Sequence, residues 1–187
     1  RGCGDVGGGG GGGGVGDDLY WHHRLGAIRL DRRWTRLMRR AAACWAEGRS
    51  SEARALAAEG REVREAAGRA HAEAAEGILR DNNPPSRGLW EIDLHGLHAS
   101  EVESAIDARM CIVEAAPRES NSRGRRQLTV ITGAGHHSGQ GEATLLRVAA
   151  GHLKAQGHEV TMGTNAGALL VTVRARPGRA RRRAGGE

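Results

Sequence analysis

The pattern of apolar positions changes along the chain and divides it into segments. Residues 1–16 are mostly glycine, with an unbroken run from Gly7 to Gly14. Such a segment has too little apolar surface to offset the entropy lost on ordering its backbone, so we expect 1–16 to be a disordered Gly-rich segment. From Asp17 onwards apolar residues recur at helical spacing, and from Leu89 short apolar runs bounded by glycine and polar residues replace them.

Residues 17–83 are predicted to form a helical extension, a hairpin of two helices. Asp17 or Asp18 is a residue type that caps the start of a helix. The segment 48–50 is expected to separate the helices, and 81–83, just before two prolines, to end the second one. The apolar stripe predicted for the first helix comprises Leu30, Trp34, Leu37, Met38, Ala41, Ala42 and Trp45, and that for the second comprises Ala53, Leu56, Ala57, Gly60, Val63 and Ala67.

Residues 84–173 are predicted to form one α/β domain with the order β-α-β-α-β-β. Helices that bury one face against a sheet form a separate layer on it. The fold class is therefore α+β, a two-layer α/β sandwich preceded by a helical hairpin. The predicted strands are 89–94, 127–132, 158–162 and 168–173, and the predicted helices are 100–115 and 142–156.

A polar motif follows the first predicted strand. Asp93 and His95 are two residues apart, so on an extended chain their side chains point to the same side. A carboxylate beside an imidazole can fix its tautomer, raise its basicity or itself orient an attacking water. Asp93 and His95 are therefore candidate catalytic residues. The alternative is that Asp93 caps the following loop and His95 is a hydrogen-bonded histidine at the rim of the sheet.

A glycine-rich motif follows the second predicted strand, from Thr132 to Ser138. Gly133 and Gly135 leave backbone N–H groups accessible to a phosphate, and the helix that follows offers the positive end of its dipole. This motif predicts nucleic-acid contacts at Gly133, Gly135 and Ser138, and a catalytic role for His137.

Histidine-rich loops also bind metals, and Asp93, His95, His98 and His137 could supply ligands for zinc or manganese. No second closely spaced pair completes a four-ligand site. No metal or other cofactor is assigned, and dependence on a divalent metal stays open.

Positive charge is concentrated outside the predicted site. The chain has a net charge of +6, yet 84–173 contain eight basic and nine acidic residues, whereas 174–187 contain six arginines and one acidic residue. The segment 174–187 is predicted to be a disordered basic tail that neutralises phosphates without reading sequence, or else a solvated tail. The loop 117–126 adds three candidate nucleic-acid contacts, Arg123, Arg125 and Arg126. With no Phe and one Tyr, the chain has few aromatic rings for stacking single-stranded bases.

The cysteines and the hydropathy bear on the compartment. Cys3, Cys44 and Cys111 are odd in number and far apart, so a disulfide framework is not indicated. The sequence shows neither a membrane-spanning run nor the pattern of a secretory signal, and no membrane partner is expected. We expect an intracellular protein, cytoplasmic or nuclear and not secreted.

Residues 89–173 resemble an Smr (small MutS-related) domain. The stretch Ile92-Asp93-Leu94-His95-Gly96-Leu97-His98, followed by Glu101, is similar to the family motif L-D-x-H-G-L-x. Thr132-Gly133-Ala134-Gly135-His136-His137-Ser138 with Gly141 resembles T-G-x-G-x-H-S-x-x-G, and Asn165 with Gly167 fits the closing turn. Residues 20–83 are similar to the helical extension that precedes Smr domains in many eukaryotic proteins.

The resemblance implies a two-layer sandwich that acts on nucleic acid. Asp93 and His95 match positions implicated in cleavage, and Gly133, Gly135 and His137 match positions associated with substrate binding and activity. The family often carries basic residues just after the glycine matching Gly141, where this chain has Thr144 and Leu146. The first expectation is an endonuclease that nicks DNA or cleaves RNA. The alternative is a noncatalytic nucleic-acid-binding or ribosome-associated adaptor, with a protein partner on the helical extension.

Overall fold

A computed structural model describes residues 15–116, 126–133, 144–165 and 167–173. Four predicted features lie wholly or mostly outside the described residues: the Gly-rich segment, the arginine loop before 126, the glycine-rich motif after Gly133 and the basic tail. The described residues form two compact units, one up to Ile78 and one from Leu79 onwards. No helix within the described ranges is both long enough and apolar enough to cross a membrane.

Two long helices, α1 (Val15–Ala46) and α2 (Ser50–Asn82), form the predicted hairpin. Gly48, with φ +77°, makes the turn between them, a conformation that glycine adopts without strain. Helix α1 begins at Val15, so residues 15 and 16 are helical and Asp17 and Asp18 lie inside the helix instead of capping it. Acidic residues are favoured in the first turn of a helix as well as before it, so their presence did not locate the first residue.

The first unit has a narrow aliphatic core between its two helices. Its buried members are Leu37, Ala41, Cys44, Ala53, Leu56 and Val63, with Leu30 and Trp34 packed against them. The prediction was wrong for Trp45, which is 61% exposed, for Met38, which is 37% exposed, and for Ala42, which is exposed as well. The buried positions of α1 advance by four and three residues in turn, so the core reaches Cys44 and leaves its neighbour Trp45 facing outwards.

The second unit contains the predicted α+β fold with the order β-α-β-α-β-β. A short 3-10 helix (Pro85–Arg87) precedes it. Its elements are β1 (Glu91–Asp93), α3 (Ala99–Ala115), β2 (Gln127–Ile131), α4 (Thr144–Ala155), β3 (Glu159–Met162) and β4 (Ala168–Thr172). The fold class predicted from the sequence is confirmed.

The four strands form one mixed sheet in the order β1-β2-β4-β3. Strands β1 and β2 are parallel, and β4 is antiparallel to both β2 and β3. Along β2, Leu128 and Val130 are completely buried whereas Thr129 and Ile131 are partly exposed, so one face of the sheet carries the core. Helix α4 packs against β3, β4 and α3, and α3 buries Val102, Ile106 and Val113 on its inner side.

Helix α2 approaches α1 closely at Gly77, and we expect Gly77→Ala to lower the free energy of unfolding. Alanine is the better helix former by about 1 kcal/mol, but a Cβ at Gly77 would lie 2.5 Å from Nδ1 of His23, so the imidazole would have to move. Gly68→Ala is the matched control on the same helix. A Cβ there meets nothing within 4 Å, so this variant should gain about 0.4–1 kcal/mol. Urea unfolding of the full chain measures both, and equal stabilisation by the two variants would contradict the close approach.

Candidate active site

Parallel pairing of β1 and β2 brings the loops that follow them to the same edge of the sheet. Asp93 is in register with Ile131, the last residue of β2, and the N–H of Leu94 donates to the carbonyl of Ile131 (2.7 Å). Strand β4 runs the other way and begins at this edge. Both the backbone N–H (2.8 Å) and the hydroxyl (3.0 Å) of Thr132 donate to the carbonyl of Gly167. The first motif, the start of the second motif at Thr132 and the end of the closing turn at Gly167 therefore meet.

Asp93 and His95 form a direct side-chain pair. Nδ1 of His95 lies 2.7 Å from Oδ1 of Asp93, and the same oxygen accepts the backbone N–H of His95 at 3.1 Å. The carboxylate thus acts as a cap of its own loop and as a partner of the imidazole. The contacts of the second interpretation, a loop cap and a hydrogen-bonded histidine, are therefore present, and the catalytic role of the pair stays a prediction.

The two side chains of this pair differ in their access to solvent. The side chain of Asp93 is 8% exposed and that of His95 is 38% exposed. Since Nδ1 faces Asp93, the other ring nitrogen, Nε2, has no hydrogen-bond partner among the described residues. The hydrogen bond from Asp93 raises the pKa of His95, and partial burial opposes this rise. The pair therefore presents an oriented imidazole of increased basicity to the surroundings.

A second histidine–carboxylate pair in the same unit has the opposite arrangement. Nε2 of His152 lies 2.7 Å from Oδ1 of Asp107, to which Gln156 also donates, at 2.6 Å. Hydrogen bonding to His152 and then to Gln156 lowers the pKa of Asp107. Here the imidazole is 17% exposed and the carboxylate 52% exposed, so the pair ties α4 to α3 and presents a carboxylate. A short contact of this kind is not by itself a site; burial of the acid behind the imidazole distinguishes Asp93 and His95.

Gly133, the first glycine of the second motif, lies against His95. Its φ is +77°, and a Cβ built on it would be 3.5 Å from the Cβ of His95. A larger side chain would be strained by this backbone conformation and would stand beside the imidazole. Gly135, His137 and Ser138 lie outside the described residues, as do Arg123 and Arg125, so their roles stay predictions.

The remaining residues of the first motif start helix α3. The backbone N–H of His98 donates to Oε2 of Glu101 (2.8 Å), as in a capping box. This contact provides the N–H of His98, the N-cap residue, with a hydrogen-bond partner. It also fixes the position at which the loop ends and α3 begins. The spacing of His98 and Glu101 therefore has a structural reason.

Arg126 has contacts within its own unit. Its guanidinium donates to the carbonyl oxygens of Val113 and Ala116 (3.1 Å to the second) at the end of α3, and its Cζ lies 5.1 Å from the ring centre of Trp90. These contacts satisfy carbonyls that a helix end leaves free. They give Arg126 a structural role, and nucleic-acid contact by this residue stays a prediction.

Three residues of the site had no functional prediction from the sequence. Nη2 of Arg87 lies 3.4 Å from the second carboxylate oxygen of Asp93, and Asn82 and Asn83 bond to the backbone of His95 and Asp93. The sequence indicated the two asparagines as a helix end. The sequence did contain a signal for their role: two adjacent asparagines directly before the prolines and the first strand. Asn side chains readily bond to nearby backbone groups.

Parts of the chain are similar to known proteins. Residues 20–83 match a family described as a domain of unknown function, DUF1771. Polyadenylate-binding protein-interacting protein 7 of Arabidopsis thaliana is 34% identical over 74 residues, which make up 37% of this chain and 13% of that protein. The solution structure of the B3BP Smr domain aligns with 26% sequence identity and a TM-score of 0.43, covering 56% of this chain and 95% of that domain.

Proposed function

We propose that the second unit cleaves phosphodiester bonds in nucleic acid, as an Smr-type endonuclease, with His95 as the group that transfers a proton. The observation that carries this proposal is the buried carboxylate of Asp93 behind the exposed imidazole of His95, next to Gly133. The similarity of the two motifs to those of Smr domains supports nucleic acid as the substrate.

In the proposed reaction the neutral imidazole of His95 acts as general base. Asp93 holds its Nδ1–H, and Nε2 takes a proton from a water or from the 2′-hydroxyl of RNA. The deprotonated oxygen attacks phosphorus, and the bond from phosphorus to the leaving oxygen breaks. His137 then donates a proton to the leaving oxygen. Backbone N–H groups at Gly133 and Gly135 stabilise the charge on the phosphate.

Substrate attraction in this proposal comes largely from outside the motifs. With eight basic and nine acidic residues, 84–173 offer no net attraction for a polyanion. Arg123 and Arg125 in the loop and the six arginines of 174–187 are the proposed phosphate contacts.

The second candidate function is binding without cleavage. It is favoured by the relative named as a polyadenylate-binding protein-interacting protein and by the near-neutral charge of the site region. In this function the strand-end loops hold RNA backbone and the helical hairpin contacts a protein partner. Salt-sensitive binding with intact strands would be its signature.

We expect the purified chain to cleave labelled RNA or nick plasmid DNA, and His95→Gln to lose at least about 100-fold in rate, as general-base removal usually does. Asp93→Asn should lose activity as well, because an amide cannot stabilise the protonated imidazole. His152→Gln is the matched control, since it breaks the other histidine–carboxylate pair. Reactions with and without chelator test for a metal requirement. Cleavage at equal rates by wild type and His95→Gln would exclude the proposed base, and intact strands throughout would support the adaptor.

The pH dependence has a definite sign. Because Asp93 raises the pKa of His95 above 6.5, the neutral base accumulates only as pH rises through that higher value. Cleavage should therefore rise with pH through that value and fall again at higher pH as His137, the proposed acid, loses its proton, and Asp93→Asn should shift the rise to lower pH. The stability contributed by the pair should be present below pH 6.5 and lost as pH rises through the folded-state pKa. A rate that does not change with pH from 5 to 9 would argue against His95 as the base.

Replacing the six tail arginines with glutamine should weaken binding to a single strand and make it less sensitive to salt. If each arginine neutralises one phosphate, the slope of log K against log salt falls by up to about 4. Replacement by lysine preserves the charge and should leave the slope unchanged. Fluorescence anisotropy at several salt concentrations measures it, and identical slopes for glutamine and wild-type tails would place the phosphate contacts elsewhere.

A further inference from the structure

The backbone N–H and C=O of Asp93 face the open side of β1, the outermost strand of the sheet. Strand β1 is an edge strand, bonded to β2 on one side. Two bonds to β2 flank this strand: the carbonyl of Trp90 accepts the N–H of Thr129, and the N–H of Leu94 donates to the carbonyl of Ile131. Because backbone groups alternate in direction along a strand, the N–H and C=O of Asp93 point away from β2. At an edge strand such groups have no partner from the sheet.

The side chain of Asn83 is the partner of these groups. Its Oδ1 accepts the N–H of Asp93 (2.7 Å), and its Nδ2 donates to the carbonyl of Asp93 (2.9 Å). The carboxamide thus pairs with one residue as a neighbouring strand would. Nδ2 of Asn83 also donates to the carbonyl of Leu79 (2.8 Å), which fixes the carboxamide to the last turn of α2.

Asn82 holds the other end of the same loop. Its side chain is buried, with the residue 5% exposed, and its Nδ2 donates to the carbonyl of His95 (2.8 Å). Its own carbonyl accepts the Nε–H of Arg87 (2.7 Å), whose guanidinium approaches the carboxylate of Asp93. The backbones of both members of the candidate pair are therefore anchored to two consecutive residues.

We propose that Asn82 and Asn83, the asparagine clamp, are positioning residues that keep the Asp93 carboxylate and the His95 imidazole aligned. This inference rests on the proposed function for its catalytic consequence but not for its geometric one. The carboxylate oxygen bonded to the imidazole also bonds to the His95 backbone, so a small rotation of this loop breaks both contacts. Only a side chain with both a donor and an acceptor at the position of Asn83 satisfies both groups of Asp93.

The first test uses the unaltered chain. Hydrogen exchange of backbone amides, followed by NMR, should show slow exchange at Asp93 and fast exchange at Glu91. Both amides point to the open edge, but of these two only the amide of Asp93 donates to Asn83. Equal, fast exchange at the two positions would overturn the clamp without any variant having to fold.

The second test measures alignment directly in Asn83→Ala and Asn82→Ala, with Gln127→Ala as control. Gln127 is an exposed carboxamide at the start of β2, at the other end of that strand from the site. NMR titration of His95 in the folded chain should show its pKa falling toward 6.5 in both clamp variants and unchanged in the control. A role in stability alone would lower the midpoint of unfolding and leave this pKa as in the wild type, which would overturn the proposal.

Cleavage assays separate this inference from the proposed function. If the wild type cleaves, Asn83→Ala should lower kcat roughly 10- to 100-fold with KM little changed, because a misaligned group acts on bound substrate. Unchanged kcat in a folded Asn83→Ala would refute the clamp and leave the function standing. A shifted His95 pKa in a chain whose wild type does not cleave would support the clamp and refute the endonuclease.

Discussion

The parallel pairing of β1 with β2 is the constraint on which the rest of the second unit depends. Two consecutive strands can be parallel only if the chain crosses back between them, and α3 makes that crossing. Parallel direction then places Asp93 and Thr132 at the same edge, and the antiparallel β4 brings Gly167 there as well. If β1 and β2 were antiparallel, the two motifs would lie at opposite ends of the strands.

Burial determines what this convergence can do chemically. In the Asp93–His95 pair the carboxylate is buried and the imidazole is partly exposed. In the Asp107–His152 pair the carboxylate is exposed and the imidazole is mostly buried. In the first arrangement the protein controls the tautomer and leaves one ring nitrogen for chemistry; in the second the contact joins two helices. Gly133 packs beside the Cβ of His95, where any other residue would add a side chain.

Periodicity was sufficient to predict the fold class, the hairpin and the order of helices and strands along the chain, because amphipathic stripes reflect burial directly. It misplaced Trp45, which lies one position beyond the buried stripe. The sequence does not show which of two neighbouring apolar residues faces the core unless the rotation of the helix about its axis is known. The proximity of Asp93 and His95 followed from their spacing in the chain. Arg87 and the asparagine clamp were missed because they contact Asp93. Which backbone groups of Asp93 are left for such contacts is decided only when β1 pairs with β2.

The position of the clamp bears on where the second unit begins along the chain. The match to the DUF1771 family ends at residue 83, whereas Asn82 and Asn83 fold with the second unit and bond to its first strand. The boundary of the family and the boundary of the folded unit therefore do not coincide. A fragment that began at Pro84 would lack two hydrogen-bond partners of the Asp93 and His95 backbone, so a fragment meant to contain the whole second unit has to begin before Asn82.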